Sequence, residues 1–181
     1  RLIDIDMTTD HEPLLVMDYV PGLNLREIFN KRRLTASEFE DVSYQLAAAI
    51  DHCHRRGIIH RDIKPENIMF NGDKITLLAF SLALVDKFKT NVISHDTPNG
   101  FILGTPPYSS PEQLREPSLV DASADIYSYG ILLDECIHNT NINEFDSLRL
   151  KQWMKVIKQC CKYNSLHRPD IKRIIHFCTI N

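Results

Sequence analysis

The sequence predicts an α+β fold, with two short strands at the N-terminus and a mainly α-helical body. Three observations carry that reading. Phe39, Val42, Leu46, Ile50 and Cys53 recur at the spacing of one helix face. Residues 1–20 hold two short apolar runs separated by a polar turn, the pattern of strands. Asn71-Gly72 stands between two further apolar runs, which is a hairpin signal.

The elements follow in order. Leu2, Ile3 and Ile5 form the first strand and Leu14-Leu15-Val16-Met17 the second, with Thr8–Pro13 between them; Pro21-Gly22 then breaks the chain. Leu23-Asn24-Leu25 leads into a short helix up to about Lys31. Thr35 and Ser37 sit where an N-cap belongs and Glu38 follows in the first turn, so a long amphipathic helix starts there and stops at Gly57. Ile58-Ile59, Asn67–Phe70 and Lys74–Leu78 are short apolar runs, and residues 85–107 are loop-like. Helices are predicted at about Ser123–Ile137, Leu148–Tyr163 and Pro169–Phe177.

The 181 residues suffice for a domain with a real core, and 43% apolar with 25% charged residues is a globular profile. A net charge of −3 lacks the basic excess of a nucleic-acid or membrane-surface binder; Lys31-Arg32-Arg33 reads as a solvated helix end. No apolar run reaches the roughly 18 residues a membrane span needs. The first residues show no signal-peptide pattern, so a cytoplasmic or nuclear rather than secreted protein is expected. Five cysteines, an odd count without a C-x-x-C pair, argue for free thiols rather than a disulfide framework or zinc site.

The chemistry-bearing segment is His60-Arg61-Asp62-Ile63-Lys64-Pro65-Glu66-Asn67. It resembles the catalytic loop of protein kinases, and the lysine two residues after the aspartate is the Ser/Thr-kinase form. The resemblance implies that Asp62 accepts the hydroxyl proton, Lys64 neutralises charge on the transferring phosphate and Asn67 holds Mg²⁺. His60 and Arg61 would brace the loop. Gly104–Glu112 looks like the end of an activation segment, with Thr105 beside the catalytic groups and Ser110-Pro111-Glu112 in place of Ala-Pro-Glu. Asp125-Ile126-Tyr127-Ser128-Tyr129-Gly130 resembles the central helix whose aspartate supports the catalytic loop. His167-Arg168-Pro169-Asp170 resembles the late arginine motif, and Arg168 would pair with Glu112. Leu15–Gly22 looks like the last N-lobe strand and hinge. There Met17 would be the gatekeeper, the Asp18 and Val20 backbones would meet adenine, and Met69 would floor the pocket. The resemblance thus predicts a kinase-like fold with residues 1–20 as an N-lobe piece and 21–181 as the C-lobe.

Three departures shape the functional expectation. No Gly-rich loop, paired lysine or glutamate helix stands ahead of the first strand. The Asp-Phe-Gly position reads Ala79-Phe80-Ser81: Ala79 offers no oxygen to a metal, while Phe80 keeps its packing role. The stretch from Gly130 to Arg168 is short, with only His138–Ser147 where a substrate-docking helix stands in the family. ATP and Mg²⁺ are the family's cofactors, and these departures argue against their firm binding here. The expectation is a catalytically impaired kinase-like module that binds a partner protein, for example another kinase, rather than nucleic acid or membrane. The alternatives are a fragment of a longer Ser/Thr kinase and a decayed kinase without a role. Thr90, Ser94 and Thr97 are candidate loop phosphorylation sites.

Overall fold

A computed structural model describes residues 2–7, 13–78, 84–85 and 104–180. Ala79, Phe80 and Ser81, like Thr90, Ser94 and Thr97, lie outside the described residues. Strands β1 (Leu2–Met7) and β2 (Pro13–Met17) pair antiparallel as a separate ribbon, Ile5 opposite Leu15. β3 (Leu23–Asn24) leads directly into α1 (Leu25–Lys31), where Asn24 and Glu27 form a reciprocal capping box. A second box, Thr35 with Glu38, starts α2 (Ala36–His54). The chain leaves α2 through Gly57, at φ +70°, a left-handed turn that glycine adopts without steric cost.

Beyond this turn lie β4 (Ile58–Ile59), β5 (Ile68–Phe70), β6 (Ile75–Leu77) and β7 (Leu84–Val85). β5 and β6 form the hairpin around Asn71-Gly72, and β3 pairs with the outer edge of β5. β4 pairs with β7, so strand structure extends to Val85. The remaining body is helical: α3 (Pro111–Arg115), α4 (Ser123–His138), α5 (Ser147–Cys160) and α6 (Ile171–Thr179).

The core forms where α2, α4, α5 and α6 meet. Phe39, Trp153 and Phe177 stack edge to face, with centroids 5.0 and 4.8 Å apart. Tyr129 is fully buried on α4 and donates its hydroxyl to the Ser43 carbonyl of α2 at 3.1 Å, so the deepest phenol is satisfied. All five cysteines are free thiols; burial pushes Cys161 and Cys178 up to about 11, which disfavours the reactive thiolate. The link from α4 to α5 contains a single short turn, Ile142–Glu144. Among the described residues, no helix is long and apolar enough to cross a membrane.

Candidate active site

The site is built around a backbone turn that needs outside support. Arg61 has φ +65°, the one positive-φ non-glycine among the described residues, a conformation that costs on the order of 1–3 kcal/mol. The buried Asp125 carboxylate of α4 supplies the support. It accepts the backbone N–H groups of His60 and Arg61, each at 2.9 Å, and bonds His54 Nε2 at 2.8 Å. Gln113 of α3 donates to the Arg61 carbonyl at 2.6 Å, so the strained residue is bound through both its N–H and its C=O. His60 Nε2 lies 2.8 Å from the Leu78 carbonyl while its Nδ1 accepts the Asp62 N–H at 3.3 Å. A carbonyl only accepts, so the proton sits on Nε2.

This frame presents Asp62 to three partners. Thr105 donates its hydroxyl to Asp62 Oδ1 at 2.9 Å and accepts from Lys64 Nζ at 2.7 Å. Lys64 Nζ also lies 3.1 Å from Asp62 Oδ2. Pro65, with φ preset for a helical turn, opens the single turn Pro65–Asn67 that folds Asn67 back. Asn67 then donates to both the carbonyl and Oδ2 of Asp62, at 2.7 and 2.8 Å. Asp62, Lys64 and Asn67 of one sequence motif and Thr105 of another therefore form one bonded cluster.

Other predicted positions take their places around it. Arg168 pairs with Glu112 at 2.8 Å. Met17 ends β2 and Asp18 follows it, both exposed, with Val20 partly covered; Met69 sits half-buried on β5 opposite Asn24. A second cluster had no signal in the sequence. Arg26 of α1 bonds Glu66 at 2.8 Å, the Tyr108 hydroxyl at 2.6 Å, and Glu135 of α4, while Tyr108 also donates to Glu135. Burial, with Glu135 alongside, pushes the Tyr108 phenol well up, so it stays a donor. The knot ties the segment carrying Thr105 to the loop carrying Asp62 and Asn67.

The cluster offers a carboxylate with an ammonium beside it, suited to accepting a hydroxyl proton and stabilising nearby negative charge. It fits a hard cation poorly. Asn67 has one amide oxygen to offer, left free while its N–H groups go to Asp62, and Ala79 supplies no oxygen beside it.

Gly104 sets the approach of Thr105. It has φ +99°, and a Cβ there would lie 2.5 Å from Gln113 Nε2 and 2.7 Å from Ser109 Oγ. Gly104→Ala is expected to cost about 1–3 kcal/mol. Urea unfolding checks this; a loss within a few tenths of a kcal/mol would mean the segment has another approach open to it.

A family model described as "Protein kinase domain" matches residues 1–177. The chain is 33% identical to the CBL-interacting serine/threonine-protein kinase 2 of Arabidopsis thaliana, over 93% of its own length and 36% of that protein. It is 36% identical to the serine/threonine-protein kinase PknB of Mycobacterium tuberculosis, over 69% of its own length and 20% of the relative. A 37% match to a probable serine/threonine-protein kinase of Streptomyces coelicolor covers 69% of the chain and 18% of that protein. The chain thus spans about a third or less of the curated relatives it matches.

Proposed function

Because this chain belongs to the protein kinase domain family and is related to its serine/threonine kinases, we propose that it keeps the hydroxyl side of phosphoryl transfer, has lost most of the metal side, and acts chiefly by binding a partner protein. The bonding of Asp62 to Thr105 and Lys64 carries the first part. Asp62 would accept the proton of a protein serine or threonine hydroxyl. Lys64 would face the negative charge that develops, and Thr105 would hold the two at a fixed separation. Asn67 serves here as the orienter of Asp62. Residues 1–20, with Met17, Asp18 and Val20, would form the adenine-facing edge, with Met69 beneath.

The second part rests on Ala79. Transfer in this family is mostly positioning and electrostatics, so losing the carboxylate that holds the metal removes a large share of the rate. The binding reading draws on the ribbon, where Ile3, Val16 and Met17 are exposed, and on Tyr19 just beyond it, 85% exposed. Such apolar surface favours a protein cover; another kinase is the class of partner expected. The assembled Asp62 cluster favours a second reading, an active part of a longer Ser/Thr kinase.

A γ-phosphate transfer assay on the longest native form separates these readings. Wild type and Asp62→Asn are expected to give the same background, with Ala79→Asp raising transfer at least about tenfold. Wild-type transfer that Asp62→Asn abolishes would establish the active kinase instead.

A further inference from the structure

We propose that the groove between α4 and α5 is the docking site for an amphipathic helix of a partner protein, one that carries acidic residues beside its apolar stripe. This surface deepens the reading that the lobe works by binding protein and depends on it. The groove is an open cavity of about 390 Å³ lined by Ile131 and Asp134 from α4 and by Met154, Ile157, Lys158 and Cys161 from α5 and its C-cap. Both walls run at helical spacing: Ile131 and Asp134 are three apart, and Met154, Ile157 and Cys161 follow at three and four. Two helices side by side with such ridges leave the furrow into which a third helix packs.

The link between α4 and α5 does not fill the furrow. It turns toward the entrance of α2 instead: Leu34 N–H donates to the Asn139 carbonyl at 2.8 Å, Asn141 N–H to the Leu34 carbonyl at 2.9 Å, and Ala36 N–H to Glu144 at 3.0 Å. Met154 is left 43% exposed although it lies on the groove wall.

Charge selects the occupant. Lys151, Lys155 and Lys158 recur at four and three residues along α5, all exposed, next to the apolar stripe. None makes an ion pair among the described residues, although α5 lies close to carboxylates such as Asp134. A row of unpaired ammonium groups beside an apolar furrow favours glutamate or aspartate flanking the incoming apolar side chains, and a single cation opposite Asp134 would complete the match.

The test uses two labelled helical peptides of about 18 residues with the same leucine stripe, one flanked by glutamates and one by lysines, followed by fluorescence anisotropy. The glutamate peptide is expected to bind at least about tenfold more tightly, and Met154→Glu and Lys155→Glu should each weaken it about tenfold. Both positions are exposed, and circular dichroism confirms that the variants fold. Equal binding of the two peptides would overturn the proposal, as would glutamate-peptide binding untouched by both variants, or no binding up to about 1 mM by folded protein. Binding lost in Val16→Glu on the ribbon but kept in Met154→Glu would overturn the groove and leave the partner-binding reading standing.

Discussion

Asp125→Ala is expected to destabilise the protein by about 3–5 kcal/mol and to release the backbone at His60 and Arg61. The carboxylate is fully buried and accepts three bonds, two from backbone N–H groups and one from His54. Alanine would leave both amides in the interior with no acceptor and no room for bulk water. The loss extends to function because one of those amides belongs to the left-handed Arg61. Without its bond, that residue would relax toward ordinary φ and carry the neighbouring Asp62 away from Thr105 and Lys64. Asn should rescue little: it offers one acceptor oxygen and turns an N–H toward a group that is itself a donor. Urea unfolding gives the energy, and amide exchange at His60 and Arg61 reads the release. Unchanged protection at these two amides in a destabilised Asp125→Ala would sink the positioning argument and leave Asp125 as a core residue only.

What could be read from the chain, and what could not, follows the range of the interactions. The Thr35–Glu38 helix start, the Asn71-Gly72 hairpin and the α2 stripe depend on neighbours a few residues apart, and each appears where the pattern puts it, whereas the Asn24–Glu27 box emerged only in the structure. The kinase-like class and the expected grouping of Asp62, Lys64, Asn67 and Thr105 came from the resemblance of their motifs to the kinase family. The Arg26 knot was silent because its bonds to Tyr108 and Glu135 span 82 and 109 residues, and nothing local marks an arginine on a short helix. Gln113 was missed for the same reason, its partner Arg61 lying 52 residues away. The five-residue α3 and the two-residue strands β3, β4 and β7 are too short to display a period, so only pairing and packing define them. The consequence of Ala79 is chemical rather than structural. The substitution itself was legible at once, because an absent oxygen needs no geometry.

Arg168→Ala should cost as much as the loss of Asp125, about 3–5 kcal/mol, through a different kind of staple. The side chain is 1% exposed and uses all three of its nitrogens. Nε donates to Lys162 O at 2.8 Å, Nη1 reaches Glu112 and Ser123 O at 3.0 Å, and Nη2 reaches Glu112 at 2.8 Å and Tyr163 O at 3.1 Å. One guanidinium therefore joins α3, the start of α4 and the segment that follows α5, with Tyr127 stacked 5.0 Å away. Arg168→Lys should recover only a minor part, since an ammonium has three donors and no planar fork. The pair also leaves a mark in pH. Burial pushes the Glu112 carboxyl up, but the bonds from Arg168, its own backbone N–H and the Ser110 hydroxyl outweigh burial and hold it below its ordinary 4.5. A depressed carboxyl contributes stability above its unfolded value, and that contribution fades as pH falls through the lower folded value. In Arg168→Ala the burial remains without the guanidinium, so the carboxyl moves upward and the variant loses less on acidification. The stability gap between wild type and variant should therefore narrow as pH falls from about 5.5 through the ordinary 4.5 of the carboxyl and below it. Urea midpoints across that range measure it. A gap of constant width would mean that Arg168 acts through the carbonyls of Ser123, Lys162 and Tyr163 alone, with Glu112 contributing nothing.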